Sequence, residues 1–174
     1  MNSRLRLIPR IALFAALIYV FSWGTSYLPN INLAFFIAFY AGVFWGILPG
    51  ALVGALGMAL WTLFNPFGPA YLQVMVAQVI GMALSGVVGA AFRAYNWHLL
   101  SGKTLSGYLL LAAIVCTLLF YLPVNVIDAW LYQPFWPRFI GGMLWAVISL
   151  VANMVIFSVL FRPVRLLYNK GKLN

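Results

Sequence analysis

An all-α integral membrane protein of six crossings follows from three observations on this sequence. Hydrophobic residues make up 66% of the 174-residue chain and charged residues 6%, with a mean hydropathy of +1.04, and a solvated surface needs far more charge than that. Pro, Gly and Asn breakers divide the apolar sequence into six segments of roughly 15–23 residues, close to the length of a membrane-spanning helix. Of the ten Lys and Arg residues, all except Arg138 fall at the two chain ends or between Arg93 and Lys103, which an even number of crossings places on one side. Basic loops stay in the cytoplasm. Both termini and the 93–103 loop are therefore expected inside, in a multi-pass protein of the plasma membrane. The length leaves room for one six-helix domain, 1–174, and none for a folded soluble domain.

Arg4, Arg6 and Arg10 precede the first apolar run, a flank that resembles a signal peptide. No small-x-small cleavage site closes the run, so it is read as a retained first crossing, about 11–28, ending at Tyr27 and Pro29. The turn at Leu28 to Asn30 reverses the chain on the outer side. The second crossing, about 32–47, returns inward to a turn at Leu48, Pro49 and Gly50. The third, about 50–64, stops at the Asn65 to Pro69 turn. The fourth, about 70–92, returns to Arg93. After the polar 93–103 loop, the fifth spans about 104–122, and Pro123 is expected to open the longest outer segment, 123–138. The sixth, about 139–161, ends at Arg162 and Pro163, with Arg165, Lys170 and Lys172 beyond it.

Small residues recur at helical spacing. Gly42, Gly46, Gly50 and Gly54 fall at four-residue steps, and Gly81, Ser85 and Gly89 repeat the step in the fourth crossing. In lipid, helices associate by close backbone approach at such positions, so these are read as packing within the bundle. Ala12 and Ala16, with Ala15 beside them, form a further small patch on the first crossing. Spacing alone leaves it open whether this patch packs inward or meets a partner subunit.

The polar residues gather at the outer face: Asn30 and Asn32 in the first turn, Asn65 in the second, Gln73 at the start of the fourth crossing, and Asn125, Asp128, Gln133 and Arg138 in the third outer segment. Tyr27, Phe67, Tyr71, Tyr121, Trp130, Tyr132, Phe135 and Trp136 surround them. A pocket for a small flat molecule combines stacking surfaces with a few directed hydrogen bonds. The candidate substrate-binding residues are thus Asn30, Asn32, Asn65, Tyr71, Gln73, Asn125, Asp128, Trp130 and Arg138. The competing reading is an interfacial aromatic belt. Gln78 and Asn153 lie deeper and fit hydrogen bonds between helices better than ligand contacts.

Catalysis is not expected. One Asp, one His and no Glu cannot build a carboxylate pair, a hydrolytic triad or a zinc site, so neither an enzyme, a metal nor a cofactor is anticipated. His98 sits in the inner loop with Asn96, Trp97 and Lys103. Ser101 to Thr104 mimics the end of a phosphate-binding loop, but Trp97 stands where that motif needs its first Gly. The net charge of +9 is juxtamembrane and suits orientation and anionic lipid rather than nucleic acid. Cys116 has no second Cys to pair with. The first four crossings and the sixth carry no acid of the kind a proton-coupled carrier uses, so energy for transport would come from elsewhere.

Three stretches carry a resemblance to a known family: Arg10 to Ala16 (RIALFAA), Ala41 to Gly54 (AGVFWGILPGALVG) and Leu63 to Pro69 (LFNPFGP). With six crossings, both termini inside and a polar outer face, the chain resembles over nearly its whole length the S component of an energy-coupling factor transporter. The resemblance implies a vitamin-like ligand captured outside, docking of Ala12, Ala15 and Ala16 on a transmembrane T subunit, and two ATPase subunits that drive delivery inward. The alternative is a small structural or assembly membrane protein, with aromatics as belt and Gly steps for oligomerisation.

Overall fold

The computed structural model describes residues 3–28, 30–95, 100 and 102–171. Six helices follow one another: α1 (Ser3–Gly24), α2 (Ala34–Trp45), α3 (Ile47–Phe64), α4 (Leu72–Ala94), α5 (Gly102–Leu131) and α6 (Phe135–Gly171). Among the described residues there are no strands. Five helices contain stretches long and apolar enough to cross a membrane, namely Leu7–Gly24, Ile47–Phe64, Leu72–Ala94, Gly102–Leu131 and Phe135–Pro163. The protein is a multi-pass membrane protein by that criterion. Pro29, Asn96, Trp97, His98, Ser101 and Lys172, all invoked in the sequence reading, lie outside the described residues.

The second apolar segment departs from expectation. At 12 residues, α2 is about 18 Å long, well short of a roughly 30 Å hydrocarbon core. It lies at the centre of the bundle, packed on α3 and α4 and touching α1, α5 and α6. Phe35, Phe36 and Phe39 are buried, and their rings meet Phe120 at 5.2 Å, Phe157 at 5.4 Å and Phe92 at 5.4 Å respectively. Apolarity all round a helix is what a fully buried position demands.

The turn between α2 and α3 sits at Gly46, earlier than Pro49 suggested. Gly46 has φ +91°, a left-handed conformation that costs glycine nothing, and so reverses the chain in one residue. Pro49 then falls in the first turn of α3, where its missing N–H would have had no partner anyway. Pro123 likewise fails to end a helix: α5 runs on to Leu131, and the expected outer loop 123–138 is almost wholly helical. The Leu119 carbonyl, which Pro123 cannot serve, faces Gly81, where a Cβ would stand 3.2 Å away. Only Tyr132 to Pro134 separate α5 from α6, with a cis peptide between Gln133 and Pro134.

The Gly steps work by bringing three helices together. A Cβ on Gly42 would overlap the Gly86 carbonyl oxygen, one on Gly86 the Gly50 carbonyl, and one on Gly89 the Phe39 carbonyl. Gly54 meets the backbone of Met82 in the same way. Gly86, rather than Ser85 of the expected series, is the α4 residue at the crossing with α2 and α3. Ser85 is buried and donates to the Gly81 carbonyl at 3.4 Å.

Alternating helix direction produces two distinct ends. At the aromatic end, Tyr19 and Trp23 of α1 donate to the carbonyl of Phe64 closing α3 (3.2 and 3.1 Å). Tyr71 beside α4 meets Tyr132 after α5 (5.2 Å). At the basic end, Arg93 donates to the Phe44 carbonyl in the last turn of α2 (2.8 Å), where a cation complements the helix dipole.

Candidate functional site

A cavity of about 230 Å³ opens at the aromatic end, enclosed by the α1–α2 connection, α3, α4 and α5. Each wall has a local cause. Asn30 adopts φ +55°, a region Asn tolerates better than most residues, and so turns the connection back over the bundle. Its Nδ2 donates to the Trp145 carbonyl of α6 at 2.9 Å. Asn32 Oδ1 accepts from the N–H of Ala34 (2.8 Å) while its Nδ2 donates to Ser22 Oγ (2.9 Å). This Asx arrangement starts α2 and ties it to α1.

The cavity walls are aromatic and apolar, from Phe35, Trp61, Phe67, Phe120 and Tyr121 with Met58 and Met82. Two buried polar atoms lining it, Gln78 Oε1 and Ser26 Oγ, have no hydrogen-bond partner among the described residues. An orphaned buried oxygen costs about 1–3 kcal/mol, and native structures contain few. Among the described residues no charged side chain lines this cavity. It can therefore hold a small uncharged molecule between rings while supplying acceptors for its N–H or O–H groups.

Of the candidate residues read from the sequence, the structure places Asn30 and Asn32 on this cavity, both within the connection that covers it. Tyr71, Asp128 and Arg138 come together elsewhere. Arg138 Nε donates to Asp128 Oδ2 at 2.7 Å, and its guanidinium lies 4.4 Å from the centre of the Tyr132 ring. Partial desolvation and the neighbouring Tyr71 hydroxyl hold the Tyr132 phenol above its ordinary pKa, against the opposing pull of Arg138. The ion pair is partly exposed, a setting in which such pairs contribute at most about 1 kcal/mol. The cluster fastens the ends of α4, α5 and α6.

The remaining candidates are spent or turned outward. Asn65 Nδ2 donates to the Gly68 carbonyl (2.8 Å) and its Oδ1 accepts from the Phe67 N–H (2.9 Å), so the amide stitches its own turn. Asn125 Nδ2 contacts Met143 Sδ at 3.4 Å, a link between α5 and α6. Gln73 and Trp130 are exposed. Asn65→Ala is accordingly expected to lower the melting temperature, by about 1 kcal/mol of stability for the lost turn bonds, with a smaller effect on ligand affinity, because the amide reaches the cavity only through the Phe67 N–H that it holds; a binding titration alongside a melt separates the two.

Gln78, whose depth in the sequence suits an interhelical amide, is the deep polar group of the cavity. Its signal was a polar side chain one turn from both Val74 and Met82 on a helix that is otherwise apolar there. Ser22 near the end of α1 and Ser26 just beyond it carry a weaker signal of the same kind. Asn153 does bond between helices, donating to Thr117 Oγ1 at 2.9 Å.

On α1, Ala15 is buried in the bundle, whereas Ala12 and Ala16 are exposed. No protein-family model, curated protein or solved structure matches this chain.

Proposed function

We propose that this chain is the substrate-binding subunit of an energy-coupling factor type importer, capturing a small vitamin-like molecule from outside and delivering it inward with a T subunit and two ATPases. The observation that carries the reading is the cavity at the aromatic end, with two unpartnered oxygens among aromatic walls. A ligand would satisfy these two acceptors; Thr62 Oγ1, Ser149 Oγ and Asn153 Oδ1 also lack partners among the described residues but do not line the cavity. At about 230 Å³ the space falls below the roughly 300–1,000 Å³ typical of drug-sized ligands, which favours a one- or two-ring molecule. The uncharged lining favours a neutral one.

Mass spectrometry of small molecules released from the detergent-purified protein tests the reading. A stoichiometric neutral aromatic or heterocyclic compound is the expected result. Consistent absence of any bound compound, together with no thermal stabilisation by a panel of vitamins, would leave the structural role as the better account.

The exposure of Ala12 and Ala16 supports a docking role for α1, because two alanines one turn apart permit close approach by another helix. Ala12→Leu with Ala16→Leu is expected to abolish cellular uptake while ligand binding by the purified subunit survives. Equal loss of both activities would place the patch inside the fold's own packing.

The same proposal has six crossings in the plasma membrane with both termini cytoplasmic, as the basic residues suggest. On a Cys116→Ala background, single cysteines near Arg93 should react with an impermeant thiol reagent only from inside, and those near Phe67 only from outside. Labelling of the Phe67 turn from the cytoplasm would reverse the assignment.

A further inference from the structure

We infer that the crevice between the start of α5 and the end of α6 is a binding site for one anionic phospholipid. The crevice has a volume of about 600 Å³ and is lined by Lys103, Arg162 and Arg165 around an apolar floor of Leu109, Leu110 and Phe161. Its position matches the two halves of a lipid. Lys103 is the second residue of α5, and Arg162 stands at the end of the apolar stretch of α6, so the cations lie at headgroup depth. Leu109 and Leu110 lie about one and a half to two turns further along α5, toward the hydrocarbon.

Charge accounting selects an anion. The only carboxylate side chain in the sequence is Asp128, and it is paired with Arg138 at the opposite end of the bundle. Arg93, also at the basic end, is engaged with the Phe44 carbonyl. Lys103 and Arg162 thus share a crevice that no carboxylate side chain of this chain can neutralise. The hydroxyls beside them are already donating, Ser106 to the Gly102 carbonyl (3.3 Å) and Ser158 to that of Met154 (2.7 Å). Recognition therefore falls to the cations, which take phosphate, while the leucine floor takes acyl chains. A free phosphate would use only the first half of that surface.

The test uses the full-length protein, delipidated in a non-ionic detergent and titrated with dioleoyl phosphatidylglycerol or dioleoyl phosphatidylcholine under native mass spectrometry. The expected result is a one-to-one phosphatidylglycerol adduct held at least about tenfold more tightly than phosphatidylcholine, since each cation near an anionic lipid contributes on the order of tenfold or less. Lys103→Gln with Arg162→Gln should remove the preference, whereas Arg10→Gln, an exposed cation on α1, should retain it. Gly107 lines the crevice, and nothing stands within 4 Å of where its Cβ would be. Gly107→Leu therefore fills the crevice while keeping every charge, and it too should lose the adduct with an unaltered melting temperature. Its outcome decides the matter if the double variant misfolds. Equal affinity for the two lipids, a preference that survives both variants, or an equal loss in Arg10→Gln would overturn the site. Displacement of the lipid by millimolar inorganic phosphate would reassign it to a soluble anion.

Discussion

Gly86→Leu is expected to eliminate the folded protein. A single added Cβ at that position would overlap the Gly50 carbonyl and the following peptide of α3. Backbone cannot move aside as a side-chain tip can, so even Gly86→Ala should cost at least the upper part of the roughly 1–3 kcal/mol typical of overpacked cores. Leucine would force α3 and α4 apart along their whole contact. The same contact holds Gly42 of α2, so the central helix would lose its seat as well. Gly107→Ala is the matched control, because open space surrounds that glycine and alanine favours a helix by about 1 kcal/mol. Melting in detergent, followed by tryptophan fluorescence, should show a loss for Gly86→Ala and no loss for Gly107→Ala. A Gly86→Ala protein as stable as the wild type would mean that the three-helix contact is looser than the backbone distances require.

That contact also shows how far the sequence could be read. The four-residue Gly steps announced close packing, and Gly42, Gly50 and Gly54 do meet α4 or one another at backbone distance. They could not announce which member of the series would be the turn, because Gly46 shares the spacing and serves an unrelated purpose. Proline misled in a systematic way. Pro49 and Pro123 both look like breakers in sequence, yet one sits in a first turn that needs no N–H and the other in a long helix that simply forgoes a bond. Pro123 matters for the site because a break there would gather Asp128, Trp130 and Arg138 onto one loop, whereas Asp128 and Trp130 lie on α5 and Arg138 on α6.

Apolar composition identified α2 as a membrane segment but not as the central one. A short helix with apolar side chains on every face reads the same whether lipid or protein surrounds it. The neighbouring Phe92, Phe120 and Phe157 that bury it come from three distant parts of the chain. The site was partly legible for a related reason. Asn30 and Asn32 stand out because amides beside an outer turn need a purpose, and they hold the connection over the cavity. Asn65 stands out equally, but its hydrogen bonds close within four residues, a use that its sequence position cannot distinguish from ligand binding. The phenyl and indole walls were hidden among many other aromatics, and only their convergence separates Phe35, Trp61 and Phe120 from the lipid-facing rings.

Gln78→Leu is expected to weaken ligand binding by about 1–3 kcal/mol, roughly five- to a hundredfold. The amide oxygen is buried, lines the cavity and has no partner among the described residues, so a bound donor would gain a hydrogen bond to it. Leucine is close in size and preserves the helix, which confines the loss to that bond. The unliganded protein should melt at the same temperature or higher, because removing an unsatisfied oxygen from an apolar setting relieves a cost rather than adding one. Asn125→Ala supplies the contrast: its amide contacts Met143 between α5 and α6, away from the cavity lining, so stability should fall while affinity holds. The measurement is the amount of the co-purifying small molecule retained by each variant, read beside its melting temperature after that molecule is removed. Full retention by Gln78→Leu would show that the oxygen faces an unfilled part of the cavity, and the neutral hydrogen-bonded ligand would lose its principal support.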